Sequence, residues 1–560
     1  MKNFPTLTLP ALLKQSVEKY ADRPALAFVG DKPVTYAEFD KIRLSLMSLL
    51  ENLDVKQGDK VALLSSNMPN WGITYFAIAS MGAVVVPILP DFSPVEIENV
   101  LNHSESKAIF VSDNLKAKIE KYKNDKLLHR ILIDDFSILE SDKPGVQYKE
   151  GAKPQKEYTV KEEDLAVIIY TSGTTGKSKG VMLSHKNISS NAVASMSVQE
   201  INSNDRFLSV LPLSHTYENT IGFILPVICG ASISYIRKPP TPAVLLPALK
   251  EVRPTLMLTV PLIIEKIYRN KVLPNFQKNR LTRFLYSIPF LHKKFNRIAG
   301  KKLMETFGGE IKFFGIGGAK LDKTVEKFLR EAKFPYAIGY GLTETSPLLA
   351  GVNARNTKLQ STGPPLKGVT LKIHNPQKMT GEGEIWAKGP NVMMGYYKEP
   401  ELTKEVLTED GWFKTGDLGI LDKTNYLYIR GRSKNVIIGP SGENIFPEDI
   451  ESVINNFKHV AESLVIQQKG KLVAMVHFNR EEIEEKYKHL KEKGGEFSDF
   501  VERKYDELKK ELRDYVNSRV NKFSKIHDVV VSKEEFVKTA TKKIKRFLYS
   551  GKPENPEKHA

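Results

Sequence analysis

The sequence predicts an α/β fold with more than one domain, in which the largest domain is built on doubly wound sheets. Apolar, strand-like runs at residues 60–64 and 83–87 flank a segment with helical spacing at 70–81, and strands that alternate with helices form parallel sheets. The chain has 560 residues, more than one ordinary core holds. The glycine-rich, β-forming stretch 363–397 adds a small barrel or distorted sheet to this prediction.

The composition is that of a soluble globular protein, with 41% hydrophobic and 27% charged residues. Cys229 is the only cysteine, which excludes an internal disulfide and fits a reducing, cytoplasmic setting. The first residues do not have the pattern of a signal peptide. The longest uncharged stretch, residues 219–236, contains proline and glycine, so we expect a buried helix followed by a strand at 231–236, and no transmembrane helix.

The net charge of +17, from 83 basic and 66 acidic residues, is compatible with nucleic acid, an acidic membrane surface or polyanionic substrates. Zinc-ligand spacings, recognition-helix patterns and aromatic-basic RNA motifs are absent from the sequence. We therefore expect no nucleic-acid partner.

The stretch YTSGTTGKSKG at residues 170–180 follows the apolar, strand-like run 165–169. Glycines let backbone N–H groups turn inward, the hydroxyl residues add donors, and Lys177 or Lys179 can neutralise a polyphosphate. A P-loop would need glycine at position 171, where the chain has Thr171, and residues 181–184 are typical of a strand. A hairpin turn without a ligand is the simpler alternative.

This string resembles the signature of the adenylate-forming superfamily, which includes acyl-CoA synthetases, luciferases and peptide-synthetase adenylation domains. Ser178 stands where that family usually has proline. The resemblance implies that ATP is bound through Thr171, Ser172, Gly173, Thr174, Thr175, Gly176 and Lys179.

A second string, PLSHTYE at residues 212–218, resembles the superfamily motif that borders the acyl site. By that resemblance His215 and Tyr217 line or gate an acyl pocket, and His215 is a candidate catalytic residue. The strand-like run 313–316 ends in Gly317 and Gly318, and such glycines let a flat ring or a chain lie against the backbone. We assign Gly317 to the acyl pocket and Gly318 to the ATP site.

The string YGLTE at residues 340–344 matches the superfamily's Tyr-Gly-x-Thr-Glu, whose glycine is Gly341 in this chain. Tyr340 can stack on a purine, and Thr343 can donate to the α-phosphate. Glu344 is a hard oxygen ligand suited to Mg²⁺. Outside this context, a Thr-Glu pair would be a helix cap.

Two further strings belong to the same resemblance. In WFKTGD at 412–417, Asp417 can accept hydrogen bonds from both ribose hydroxyls. In the family, residues 430–442 mark the junction to a small mobile α+β domain, which predicts an N-terminal domain at 1–432 and a C-terminal domain at 433–560. Arg432 then approaches the ribose, Lys434 is the hinge, and Gly442 lies beside the pantetheine arm of CoA.

Near the end of the chain, residues 536–546 align with the superfamily's terminal Lys-Thr-x-x-Gly-Lys-Ile-x-Arg. This alignment places the lysine of the adenylation step at Lys543. Lys542 replaces the usual glycine, so the sequence leaves open whether Lys542 or Lys545 shares that role. The charged helical stretch 481–519 is typical of a solvated face.

Residues 264–303 contain eleven Lys and Arg and one acidic residue, interleaved with aromatic and aliphatic side chains. Such a segment can attach to an anionic membrane, because its cations attract headgroups and its aromatic rings enter the acyl boundary. The alternative is a solvated pair of helices packed on its own domain. Both interpretations remain open from the sequence.

The resemblance covers nearly the whole chain and is greatest to the long-chain fatty-acid branch. It implies a ligase that converts a fatty acid and Mg-ATP into an acyl-adenylate and then, with CoA, into acyl-CoA. We expect a cytoplasmic protein with peripheral contact to the inner face of the membrane. Three alternatives are a ligase that loads a carrier protein, an inactive binding or scaffold protein, and a membrane-binding module.

Overall fold

The computed structural model describes residues 4–172, 178–439, 444–468, 470–480, 483, 497–539 and 543–549. Its first helices are α1 (Leu9–Tyr20), α2 (Tyr36–Asn52), α3 (Pro69–Ser80), α4 (Pro94–Ser104) and α5 (His185–Ser195). The strands around them are β1 (Pro24–Phe28), β2 (Val34–Thr35), β3 (Lys60–Leu64), β4 (Val84–Ile88), β5 (Ala108–Val111), β6 (His129–Leu132), β7 (Ile138–Ser141), β8 (Leu165–Ser172) and β9 (Ser178–Ser184). Capping boxes at Thr35 and Ser93 begin α2 and α4.

The middle of the chain continues the alternation. Its helices are α6 (Leu225–Cys229), α7 (Pro242–Val252), α8 (Pro261–Ile267), α9 (Leu273–Gln277), α10 (Arg280–Ser287), α11 (Pro289–Thr306) and α12 (Lys323–Glu331). Its strands are β10 (Arg206–Ser209), β11 (Ser232–Tyr235), β12 (Leu256–Thr259), β13 (Phe313–Ile316), β14 (Tyr336–Ile338), β15 (Tyr340–Gly341) and β16 (Leu348–Ala350). Two π-helical turns, Glu218–Ile224 and Tyr268–Val272, lead into α6 and α9.

The last part of the chain has the helices α13 (Pro400–Val406), α14 (Pro447–Ile454) and α15 (Phe497–Asn517). Its strands are β17 (Thr370–His374), β18 (Gly383–Lys388), β19 (Gly395–Tyr396), β20 (Phe413–Leu421), β21 (Leu427–Arg432), β22 (Ile437–Ile438), β23 (Asn444–Ile445), β24 (Val460–Gln468), β25 (Lys471–Phe478) and β26 (Asp528–Val531). Short 3₁₀ helices lie at Asp113–Lys118, Thr343–Thr345, Ser433–Asn435, Lys522–Ser524 and Arg546–Leu548.

Two large sheets form the framework of the described residues. One has the strand order β14-β13-β12-β10-β11-β1-β2, and the other has the order β19-β9-β8-β4-β3-β5-β6-β7. Pairing is parallel in the middle of both sheets and antiparallel at β2, β7, β9 and β19. The predicted α/β fold is therefore confirmed. Buried apolar residues from strands of both sheets, from α2 and from α3 form one hydrophobic core.

The predicted small β unit is a four-stranded antiparallel sheet in the order β17-β18-β20-β21. Its register shifts between Glu384 and Trp386 and between Leu418 and Gly419, so it is the distorted sheet of the two predicted forms. The C-terminal residues have a core of their own, built by Ile450, Leu512 and their neighbours around β24-β25-β26. The domain boundary at 432/433 stays a prediction.

The buried helix and following strand predicted for 219–236 are confirmed as the π-helical turn, α6 and β11. Among the described helices, none combines the length and the apolar composition needed to cross a bilayer. Of the predicted charged helix at 481–519, the part described from 497 onward is helical to Asn517.

Candidate active site

Three of the predicted site residues lie at the carboxyl edge of the first large sheet. The loop after β10 carries His215, Gly317 follows β13 directly, and Tyr340 comes two residues after β14. These strands lie side by side and run parallel. Loops that leave neighbouring parallel strands meet at one edge, where open α/β sheets bind their ligands.

The signature stretch is a hairpin of the second sheet. β8 and β9 pair antiparallel, with Thr171 opposite Lys179, which confirms the strand predicted at 181–184. The hydroxyl of Tyr170 lies 2.8 Å from His103 Nδ1, so the strand is held where it enters the loop. Five predicted ATP- and CoA-binding residues lie outside the described residues, as does the Ser172 side chain: Gly173, Thr174, Thr175, Gly176 and Gly442.

Asp417 is the buried centre of the nucleotide side of the site. The Tyr340 hydroxyl donates to its Oδ2 at 2.7 Å, and Arg432 Nε lies 2.8 Å from its Oδ1. Asp417 and Arg432 are directly paired across β20 and β21, which is why they meet. Burial raises the pKa of Asp417, and Arg432 opposes that shift. The arrangement holds a carboxylate ready to accept hydrogen bonds from a diol.

Glu344 lies in the short helix Thr343–Thr345, beside Thr343. Its Oε1 accepts a hydrogen bond from the Tyr396 hydroxyl at 2.9 Å, and Lys179 Nζ lies 5.2 Å from the centre of the Tyr396 ring. Tyr396 thus connects the signature hairpin to the predicted metal ligand. One carboxylate suits Mg²⁺, which is commonly held by one or two carboxylates and substrate phosphates.

Lys543 lies close to Asp417, Arg432 and Glu344. It keeps solvent access, yet desolvation and the charge of Arg432 lower the pKa of its ammonium group, while Asp417 and Glu344 act in the opposite direction. Of the two other lysines considered from the sequence, Lys542 lies outside the described residues, and the backbone N–H of Lys545 donates to the carbonyl oxygen of Val537. The described geometry therefore favours Lys543 for the adenylation step.

His215 is neutral in this setting. Burial, reinforced by the charge of Lys543, lowers the pKa of His215 to about 4. Its Nδ1 accepts a hydrogen bond from the backbone N–H of Tyr217 at 3.2 Å, which orients the ring. His215 therefore stands beside the charged group as an uncharged side chain.

An apolar pocket begins at the Tyr217 ring. A Cβ at position 317 would lie 3.0 Å from two atoms of that ring, so Gly317 lets the ring lie on the backbone. The empty space amounts to about 530 Å³ including its open mouth. It is lined by Ser195, Val198, Gln199, Ile201, Phe207, Tyr217, Ile221, Leu225, Leu256, Leu258, Phe313, Gly315, Ala337, Ile338, Gly339, Leu348, Gly351 and Val352.

Of the three residues predicted for this pocket, Tyr217 lines it, whereas Gly317 and His215 contact Tyr217. At two other predicted positions, the geometry of the backbone explains why the residue is glycine. A Cβ at Gly341 would lie 1.9 Å from the carbonyl oxygen of Pro347, and Gly318 has a φ of +85°. Lys434 lies exposed in the helix Ser433–Asn435, between the last strand of the small sheet and the C-terminal residues.

Sequence reasoning missed Tyr396 and most of the pocket lining. Tyr396 lies in the two-residue strand β19, and the sequence around it has no pattern that indicates a functional residue. The wall residues Leu256, Leu258 and Phe313 alternate along β12 and β13. That period indicates one face of a strand, but it does not distinguish a pocket from a filled core.

Sequence similarity to a known family extends over most of the chain. The family model described as AMP-binding enzyme matches residues 13–397. A peroxisomal long chain acyl-CoA synthetase 6 from Arabidopsis thaliana is 30% identical over 488 residues, covering 80% of this chain and 69% of that protein. A chloroplastic long-chain-fatty-acid–[acyl-carrier-protein] ligase from the same plant is 28% identical, covering 85% and 76%.

Among solved structures, o-succinylbenzoate coenzyme A synthetase from Bacillus subtilis, in complex with ATP and magnesium ion, superposes with a TM-score of 0.74. The two sequences are 24% identical, and the match covers 96% of this chain and 98% of that one. This likeness concerns the fold. The family match over most of the chain shows that the chain belongs to the family of AMP-binding enzymes.

Proposed function

We propose that this protein is a long-chain-fatty-acid–CoA ligase, which makes an acyl-adenylate from a fatty acid and ATP and then transfers the acyl group to CoA. The observation that carries the proposal is the position of Lys543, beside Asp417, Glu344 and Arg432 and within electrostatic reach of His215. An apolar pocket opens next to this cluster at Tyr217. A charged site that joins an apolar pocket suits a reaction between a nucleotide and a fatty acid.

In the first step, the fatty-acid carboxylate attacks the α-phosphorus of ATP, and pyrophosphate leaves. Both reactants are anions, so the protein has to align them and offset their repulsion. Lys543, Lys179 and Arg432 supply positive charge, Asp417 accepts hydrogen bonds from the ribose, and Thr343 donates to the α-phosphate. The neutral His215 adds no charge beside the acyl carboxylate.

Magnesium, if bound, would supply positive charge that offsets part of the negative charge of the phosphates. Glu344 is the residue proposed to hold it. The Tyr396 hydroxyl donates to one carboxylate oxygen of Glu344 and so orients the other. The remaining ATP contacts are proposed for the signature hairpin, Tyr340, Gly318 and Gly341.

In the second step, the CoA thiol attacks the acyl carbonyl and AMP leaves. The thiol needs access to a carbonyl that the residues around Lys543 cover in the adenylation arrangement, so the C-terminal domain has to move. We place the boundary between residues 432 and 433, with Lys434 as the hinge and Gly442 beside pantetheine. We further propose a cytoplasmic location and membrane contact through residues 264–303.

The testing experiment measures pyrophosphate and AMP release by the purified protein with Mg-ATP and acids from acetate to oleate, each with and without CoA. We expect turnover of long acids that depends on CoA and yields acyl-CoA. Absence of nucleotide turnover with every acid would refute the proposal.

A second candidate acceptor is a carrier protein. The specific observation that favours it is the similarity to the chloroplastic acyl-carrier-protein ligase, which covers 85% of this chain. The same assay separates the two, because a carrier-protein ligase releases pyrophosphate with long acids but consumes no free CoA. Addition of a holo acyl carrier protein would then restore AMP release.

A further inference from the structure

Two consecutive helices, α10 and α11, present large apolar side chains to solvent. We call residues 278–302 the basic hairpin. Leu281, Phe284, Phe290 and Ile298 are 66%, 64%, 67% and 56% exposed, and α10 has no buried residue. Leu281 and Phe284 lie three positions apart, on one face of α10. Apolar residues at such exposure, grouped in one small region, indicate an interaction surface.

The opposite face of the hairpin fixes it to the body of the protein. The rings of Phe276 and Tyr286 stack with centres 4.3 Å apart. The Tyr286 hydroxyl donates to Asn296 at 3.0 Å, and Asn296 Nδ2 donates to Glu331 of α12 at 2.7 Å. The sequence leaves two interpretations open, a pair of packed helices and a membrane-binding segment. Packing accounts for the inner face, whereas the outer face has no role in the fold. Each interpretation therefore applies to a different face.

The outer side chains are surrounded by positive charge. Between positions 278 and 304 the sequence has no acidic residue. It has eight basic ones: Lys278, Arg280, Arg283, Lys293, Lys294, Arg297, Lys301 and Lys302. Within the part of the chain that the structure describes, none of these eight forms an ion pair. Their charge is therefore available to a partner.

We propose that the basic hairpin binds an anionic lipid surface. Each basic residue near such a surface is attracted to the anionic headgroups, and exposed phenylalanine and leucine side chains are stabilised by entering the headgroup and acyl boundary. An acidic protein would satisfy the cations, but it offers less to four apolar side chains spread over two helices. The purpose of this contact rests on the proposed function, because long-chain fatty acids partition into membranes; the binding itself does not.

The test is co-flotation of the full-length protein, without ATP, with vesicles of phosphatidylcholine alone or with about a third phosphatidylglycerol. We expect binding to the anionic vesicles only. The charge-reversal variant Lys293→Glu, Lys294→Glu, Arg297→Glu should lose at least about tenfold in partitioning. The apolar variant Leu281→Ser, Phe284→Ser, Phe290→Ser should lose a comparable amount at unchanged charge.

A matched control reverses three exposed lysines elsewhere, Lys121→Glu, Lys123→Glu and Lys153→Glu, and should bind like the wild type. The thermal midpoint of unfolding reports the folding of each variant, because this readout does not depend on ligase activity. The proposal is overturned if the wild type does not float, as expected for an acidic protein partner, or if both hairpin variants bind like the control. Flotation decides the matter even if no ligase activity is found.

Discussion

At the scale of single residues, the proposed chemistry centres on Lys543. Its ammonium group lies among two acidic groups and one competing cation, Arg432, so it stands where a nucleotide and a carboxylate would meet. Lys543→Ala should lower the adenylation rate by about 10²–10³ fold, because a preorganised charge at the reacting group is removed. The measurement is fatty-acid-dependent ATP–pyrophosphate exchange in the absence of CoA.

Lys545 is the matched control for this variant, since it carries the same charge two residues away and its backbone N–H bonds to Val537. Lys545→Ala should stay within about threefold of the wild type. A larger effect for Lys545 than for Lys543 would show that the assignment of the adenylation lysine is wrong.

Glu218 is a second residue with a specific consequence. It is buried, its Oε1 accepts a hydrogen bond from Ser209 at 2.6 Å, and burial raises the pKa of its carboxyl to about 8. Between the unfolded pKa and pH 8 the folded protein keeps a proton that the unfolded chain releases. Glu218 therefore costs the wild type about 1.4 kcal/mol of folding free energy for each pH unit in this window.

Glu218→Gln should remove that term. We expect the thermal midpoint of the variant to rise relative to the wild type by roughly 1–2 °C per pH unit from about pH 5 to 8, and to show no further relative change above pH 8. Scanning calorimetry of both proteins across this range checks the prediction. A pH-independent difference would mean that the carboxyl is ionised in the folded protein.

At the scale of elements, the loop that carries Lys543 is held by its own hydrogen bonds and by Arg546. The backbone N–H of Thr539 donates to the carbonyl oxygen of Lys543 at 2.8 Å. Arg546 forms an ion pair with the buried Glu451 of α14. Glu451 also accepts a hydrogen bond from Val465 N at 2.6 Å. The loop that carries Lys543 is therefore anchored to the core of the C-terminal residues.

Arg546→Met should leave Glu451 buried without its cation and destabilise the C-terminal residues by about 3–5 kcal/mol. Hydrogen exchange of residues 444–480 measures this. Adding Glu451→Gln should recover much of the lost protection, because the uncompensated charge is removed. If Arg546→Met alone leaves exchange unchanged, the ion pair does not anchor the loop.

Elements were also the level at which the sequence was most informative. The strands at 60–64 and 83–87 are confirmed as β3 and β4, because apolar runs that alternate with helical segments are typical of a parallel sheet buried on both faces. The basic hairpin was ambiguous, since the same side chains serve a packed face and an exposed one. The tertiary contacts of the inner face, such as that of Asn296 with Glu331, separate the two faces.

At the scale of the whole molecule, the site depends on contacts that no local pattern contains. The resemblance indicated Lys543, but its position beside Asp417 requires the C-terminal residues to pack on the N-terminal ones. That packing uses Lys320 and Asp322, which follow the glycines after β13. Lys320 Nζ lies 2.5 Å from Asp449 Oδ1 of α14, and Asp322 accepts hydrogen bonds from Ser452 and Asn456.

Reversing one charge of the Lys320–Asp449 pair should weaken this arrangement selectively. A partly exposed pair contributes up to about 1 kcal/mol, and reversal adds repulsion, so Lys320→Glu or Asp449→Lys should slow ATP–pyrophosphate exchange by roughly five- to tenfold. Thioester formation from added acyl-adenylate and CoA should stay unchanged or become faster, because in the proposed mechanism that step uses the other arrangement of the C-terminal domain.

The double variant with both charges reversed should recover exchange, because the pair is restored with opposite polarity. Lys323→Glu, the same charge change three residues along the chain, is the control and should leave both half-reactions unchanged. Equal slowing of both half-reactions, or failure of the double variant to recover, would mean that this pair stabilises the fold in general. Selective slowing that the double variant reverses would instead make the Lys320–Asp449 pair a determinant of which half-reaction the enzyme is arranged to perform.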